Sequence, residues 1–272
     1  MHVMDLGQLE DAVLLFGGPY SNLPATRAVL TEAARRGIAP DHVICTGDVV
    51  AYCAEAAACV DEIRKAGCAV VAGNCEKQLA AGAMDCGCGF EEGSTCDLLS
   101  AGWYAHADAQ IGATARAWMG GLPDVVAFEQ AGRRVAVVHG GATDVSRFLW
   151  PTSPEGEFAE EIAALRDLVG EIDFVVAGHC GLAFLREIDG VTWLNAGVVG
   201  MPPNDGRPKI RFATLEGGVP VIHALSYDHE AAYAAMRAAG LTQGYDTGIL
   251  SGYWPSEEVL PPELRRADFA KG

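Results

Sequence analysis

The chain has 272 residues, half of them hydrophobic, which suffices for one large domain or two small ones with a sizeable core. Acids outnumber bases 36 to 19, and the formal charge of −17 repels phosphate backbones and anionic lipid surfaces. Nucleic-acid and membrane partners are therefore disfavoured. The apolar runs fall far short of the ~20 residues a membrane helix needs. The polar start MHVMDLGQLED lacks the basic and apolar regions of a secretory signal, so a cytoplasmic protein is expected.

Residues 12–16 (AVLLF) read as the first strand, and 24–36 as a helix with Asn22 in its cap region. A strand over 43–46, a helix over 55–66 and a strand over 69–72 follow, then a helix over 76–83. This alternation of apolar runs with helices argues for a layered α/β fold. A Gly/Cys-rich segment, 84–95, interrupts the pattern. One helix is expected over 97–119, a strand pair over 125–129 and 134–138, a helix over 156–169, and a strand from Asp173. Short strands joined by glycine turns fill 182–225, and a helix over 228–239 closes the domain. The economical assembly is two face-to-face mixed β-sheets flanked by helices, a four-layer α/β sandwich. A single domain is expected over 1–243, with 244–272 as a Gly-, Pro- and charge-bearing tail packed on it or on a partner.

Nine cysteines is a high, odd count, and none forms a CxxC pair. Cys86, Cys88 and Cys96 share the Gly-rich loop, where they could hold a metal or a disulfide. Four other residues stand where short, buried-type strands end: Asp48 after VIC, Asn74 after AVV, His139 after VAVV and His179 after DFVVA. In open α/β sheets ligands bind beyond the carboxyl ends of the strands. One carboxylate, one amide and two imidazoles suit a divalent metal such as Mn, Zn, Fe or Ni.

Together, the segments NLPATRAVL, GDVVAY, GNCE, VVHGG, FLWP, AGHCG, LNAGVVGMP and YDHEAA resemble the calcineurin-like metallophosphoesterases. The likeness runs from about Ala12 to Gly240 and is strongest to small bacterial and archaeal phosphodiesterases and diadenosine-tetraphosphatase-like proteins. The resemblance implies a two-metal site bridged by Asp48, with Asn74, His139 and His179 completing the second metal's set. It also implies departures. Gly18 and Tyr20 stand where the first metal's Asp and His belong, Gly181 stands at its other His, and Cys75 stands at the catalytic His.

The expected activity is that of a divergent, metal-dependent phosphoesterase acting on a small phosphate ester, phosphodiester or nucleotide with one divalent metal. Asp48 is the principal catalytic candidate and Cys75 the second. Tyr20, Asn22, Cys180 and Arg207 are candidates for substrate contact or additional ligation. Two alternatives stay open: a catalytically inactive binding or regulatory protein, and a remodelled metal site using Cys75 or Cys180. A small phosphorylated or nucleotide-like ligand is the expected partner, and self-association is left open.

Overall fold

In the computed structural model, which describes residues 1–266, the chain builds two mixed sheets. The first half runs β1 (Val3–Gln8), β2 (Val13–Phe16), α1 (Leu23–Arg35), β3 (Val43–Cys45), α2 (Ala56–Ala66), β4 (Ala69–Val70), α3 (Asn74–Ala81), α4 (Thr95–Gln110) and α5 (Ala113–Gly120). The second runs β5 (Val125–Gln130), β6 (Arg133–Val137), α6 (Glu155–Val169), β7 (Phe174–Ala177), β8 (Phe184–Ile188), β9 (Val191–Asn195), β10 (Ile210–Glu216), β11 (Val219–Leu225), α7 (His229–Ala238) and α8 (Tyr245–Ser251). One sheet has the order β1-β5-β6-β7-β9-β8 and the other β11-β10-β2-β3-β4.

A strand covered on both faces must serve two cores with alternate side chains. In β2, Val13 and Leu15 enter the cluster between the sheets, while Leu14 and Phe16 enter the cluster under the helices. β7 divides in the same way: Phe174 and Val176 face the other sheet, and Val175 and Ala177 face the cluster that contains Phe158 and Leu165 of α6. The layers are therefore helix, sheet, sheet, helix, as the sequence predicts.

Three elements differ from expectation. β1 lies in the stretch read only as a polar N-terminus. It pairs in parallel with β5 at the sheet edge, and its half-exposed pattern carries no clean alternation. The helix expected over 97–119 is two helices, because the chain turns out at Ile111–Gly112. Arg116 stabilises that break by donating to the carbonyls of Ile111, Leu79 and Asp108. The tail contains α8, and beyond it Trp254 Nε1 donates to the Pro202 carbonyl at 2.8 Å while Asn204 bonds Glu257 at 2.7 Å. No helix among the described residues is long and apolar enough to cross a membrane.

Candidate metal centre

β3 and β4 are parallel neighbours in one sheet, and β6 and β7 are parallel neighbours in the other. Their carboxyl ends bring Asp48 and Asn74 from one sheet to His139 and His179 from the other. The loops must approach closely to do so. A Cβ on Gly178 would collide with the Thr46 side chain, and one on Gly73 would collide with the Asp48 carboxylate. Asp48 itself takes a left-handed backbone, φ 53°, directly after Gly47 at φ 98°. Such a conformation is strained for a non-glycine residue and recurs at functional sites.

His139 is the hub. Its Nδ1 lies 2.7 Å from the Thr46 carbonyl, which can only accept, so Nδ1 carries the proton. The opposite nitrogen, Nε2, lies 3.1 Å from Asn74 Oδ1, 2.9 Å from His179 Nδ1 and 3.3 Å from Asp48 Oδ2. The amide of Asn74 is oriented by donation from Nδ2 to the Cys86 carbonyl at 2.9 Å, which leaves its oxygen facing inward. Asp48 Oδ1 accepts from the Cys75 backbone N–H at 3.2 Å, which turns Oδ2 toward the histidines.

The ligand atoms of Asp48, His139 and His179 all lie within 4.8 Å of one another, and these residues are buried. His179 Nε2 is buried without a hydrogen-bond partner. Converging lone pairs, fixed from behind by backbone groups, fit a cation. A proton on His139 Nε2, shared with Asp48 and Asn74, is the chemical alternative at the same point. Burial pushes the His139 pKa down, but the charge and hydrogen bond of Asp48 outweigh it and raise it above the ordinary value. The Asp48 carboxyl is held below its usual range against burial by the facing His139. His179 is driven down to about 3 by burial and by the neighbouring His139.

Glu76 is a site residue that the sequence reading gave no role. It is fully buried, and it accepts from the backbone N–H groups of Asp48 at 2.8 Å, Val49 at 2.8 Å and Gly73 at 2.9 Å. It thus holds the turn that presents Asp48. Burial, then the Asp48 charge, push its carboxyl up to about 7. Its position three residues after Gly73 was the available signal, but that spacing also describes an ordinary helix start.

The remaining candidates divide. Cys75 is buried, and burial followed by the Asp48 charge raises its thiol far above the usual range. Cys180 is pushed up to about 12 by burial; its sulfur accepts from Asn195 Nδ2 at 3.2 Å and faces the Leu182 carbonyl. Asn22 acts as the cap of α1, accepting from the Ala25 N–H at 3.2 Å and donating to the Gly200 carbonyl at 3.0 Å. Arg207 lies exposed on a turn and lines no part of the cavity beside His179. Tyr20 is buried beside the site, its N–H bonded to the Asp48 carbonyl at 3.1 Å. Cys86 and Cys88 are joined by a disulfide, and Cys96 packs elsewhere, against Ser256 and Val259.

The profile of the calcineurin-like phosphoesterase superfamily domain matches residues 21–218. The chain belongs to that superfamily. Asp48, Asn74, His139 and His179 all lie inside the matched span, whereas Gly18 and Tyr20 precede it. In overall fold the phosphoesterase is similar to a metallophosphoesterase from Sphaerobacter thermophilus, with TM-score 0.68 at 20% identity, over 90% of this chain and 100% of that one. It is also similar to a hypothetical protein from Pyrococcus horikoshii, with TM-score 0.70 at 14% identity, over 90% of this chain and 98% of that one. No curated protein matches the chain in sequence. Members of the superfamily are metal-dependent phosphoesterases, and the buried cluster supplies donors of the kind such a metal takes.

The positions where the resemblance implies a first metal are occupied differently. A Cβ on Gly18 would lie 2.5 Å from the Tyr20 ring and 2.7 Å from Val198 Cγ1. One on Gly181 would lie 3.6 Å from the Trp254 ring and 3.7 Å from Val198 Cγ2. Apolar side chains, Trp254 of the tail among them, therefore line that side.

Proposed function

We propose that this phosphoesterase works with one divalent metal held by Asp48, Asn74, His139 and His179, and hydrolyses a small phosphate ester, phosphodiester or nucleotide. The observation that carries this reading is the convergence of Asn74 Oδ1, Asp48 Oδ2 and His179 Nδ1 on His139 Nε2, all within 3.3 Å. A divalent metal there supplies Lewis-acid polarisation of a phosphoryl oxygen and a nucleophile at neutral pH. The chain does the rest. Thr46 fixes the His139 tautomer, Cys86 aims the Asn74 amide, and Glu76 holds the backbone that presents Asp48. With its raised pKa, Cys75 remains a neutral thiol that can donate a hydrogen bond to a leaving oxygen, a weaker role than an imidazole acid.

A second reading is favoured by the apolar lining on that side of the site. With Tyr20, Val198 and Trp254 beside Gly18 and Gly181, the fold would serve as an inactive binding or regulatory protein.

Elemental analysis and hydrolysis of an activated phosphodiester with added Mn or Ni separate the two. One bound metal per chain, with slow hydrolysis lost in His179→Ala, is the expected result. Activity surviving that substitution, or absent with every metal, sinks the single-metal enzyme and leaves the binding protein.

A further inference from the structure

The loops after β2 and β3 hold four non-glycine residues in left-handed backbone: Tyr20 at φ 52°, Ser21 at 57°, Asp48 at 53° and Tyr52 at 39°. Such conformations are strained and persist only where their surroundings over-determine them. Around Tyr20 the constraints are dense. Its N–H donates to the Asp48 carbonyl at 3.1 Å, its carbonyl accepts from the Cys53 N–H at 3.1 Å, and the Ser21 N–H donates to the Val49 carbonyl at 2.9 Å. From the other side the Gly200 N–H donates to the Gly18 carbonyl at 2.7 Å, and a Cβ on Gly200 would lie 2.4 Å from the Tyr20 Cβ. The ring is fixed as well. It meets Tyr52 edge-on, with centroids 4.8 Å apart and planes at 88°, and Tyr52 packs in turn on Trp103 and Tyr245.

The hydroxyl on this ring makes no hydrogen bond among the described residues, although Tyr20 is only 5% exposed. A buried phenol ordinarily finds a partner. Its position is specific. Cζ, the atom that carries the hydroxyl, lies 2.5 Å from the point a Cβ on Gly18 would occupy. Position 18 is where the resemblance puts the first metal's Asp, so the phenol stands in the space that carboxylate would enter. Tyr20, His179 and Gly181 line one small cavity of about 60 Å3, room for a few waters or for the oxygens of one phosphoryl group. No Lys or Arg lines it, so negative charge in this space would be met by neutral donors.

We propose that the Tyr20 hydroxyl stands in for the missing first metal as a hydrogen-bond donor to a phosphoryl oxygen of the ester. The proposal rests on the phosphoesterase reading, in which Asp48, Asn74, His139 and His179 hold the retained metal. A phenol presents one O–H and is neutral at neutral pH. It cannot match the charge of a second divalent cation. A preorganised donor in a water-poor site nevertheless stabilises the negative charge of the phosphoryl oxygens in the transition state. Because the ring and its loop are already fixed, little reorganisation accompanies the contact.

Tyr20→Phe deletes the hydroxyl and keeps the ring. Hydrolysis of bis(4-nitrophenyl) phosphate is measured with Mn or Ni added, and binding of inorganic phosphate to the same preparations is measured by calorimetry. Metal content and the urea midpoint are taken alongside. The variant is expected to lose about a hundredfold in kcat/KM and to bind phosphate about tenfold more weakly, with wild-type metal content and midpoint. Unchanged phosphate affinity in the variant overturns the proposal, whatever the activity. So does a wild-type chain that binds no phosphate. A variant that loses metal, has a lower midpoint or does not fold also overturns it, since Tyr20 would then be a structural residue. If the wild type hydrolyses nothing with either metal but binds phosphate, and Tyr20→Phe weakens that binding about tenfold, the contact with a phosphoryl oxygen stands and only the hydrolytic reading falls.

Discussion

Glu76 Oε2 accepts the backbone N–H of Asp48 at 2.8 Å, across 28 residues of sequence. The same oxygen takes the Gly73 N–H and its partner Oε1 takes the Val49 N–H, so one carboxylate closes both loops that flank the metal cluster. Glu76→Gln keeps the shape but must point an amide donor at one of these N–H groups. The expected outcome is a loss of about 1–3 kcal/mol in denaturant unfolding and reduced metal retention by elemental analysis. An unchanged midpoint together with unchanged metal content would remove Glu76 from this role.

Asn74 is the joint between the cluster and the Cys-bearing loop, through its bond to the Cys86 carbonyl at 2.9 Å. Asn74→Ala leaves the strand ends in place and deletes both the inward oxygen and that tie. Metal affinity, measured by competition with a chelator, is expected to fall by one to two orders of magnitude, as for partners that orient ligands. Limited proteolysis should shift toward residues 84–95. A variant that holds metal as tightly as wild type would place the cation on the other three side chains alone.

A pH effect follows from α1. Glu32 is held at about 2 by hydrogen bonds from Arg35, against burial, with further help from Arg36. Its folded value lies below the ordinary 4.5, so its contribution to stability is complete above pH 4.5 and is lost as pH falls toward 2. Glu32→Gln should therefore flatten the acid slope of stability in that window, measured by urea midpoints at stepped pH. High salt should shrink the difference, since the arginine at 35 is largely exposed. An identical slope in both proteins would refute the assignment.

Thiol chemistry gives a counting test. Seven cysteines are free, and of these only Cys68 is not fully buried; its own thiol is pushed up to about 12 by burial. A thiol reagent should react slowly with the folded chain and then titrate seven groups in denaturant, as two of the nine cysteines are paired. Cys86→Ser should raise the denatured count by one, because Cys88 is released. Nine reactive groups in the unreduced wild type would mean that Cys86 and Cys88 are not joined.

What the sequence discloses follows burial. β3, β6 and β7 are buried at their carboxyl ends, so their apolar runs stand out, as does the short run of β4, and the residue after each run is legible as a site candidate. Asp48, Asn74, His139 and His179 are found in this way, and the structure gathers them. β1 is hidden because it is a half-exposed edge strand. The break between α4 and α5 is hidden because Arg116 stabilises it through tertiary contacts, among them the carbonyl of Leu79. Glu76 reads locally as a helix-start acid, since its partners Asp48 and Val49 are near only in space. The aromatic residues beside His179 are drawn from the site loops (Tyr20, Tyr52), the loop after His139 (Phe148, Trp150) and the tail (Tyr245, Trp254), and no local pattern marks them as neighbours.

Trp254 beside Gly181 has a consequence for anyone who would rebuild a binuclear centre in this protein. A histidine at 181 would inherit a backbone at φ 77°, which L side chains rarely adopt, with its Cβ at ordinary van der Waals distance from Trp254 and Val198. An acid at 18 would meet Tyr20 and Val198. Position 18 is thus locked by its neighbours, since an acid there needs Tyr20 and Val198 to move with it, whereas position 181 is limited by its backbone rather than by space.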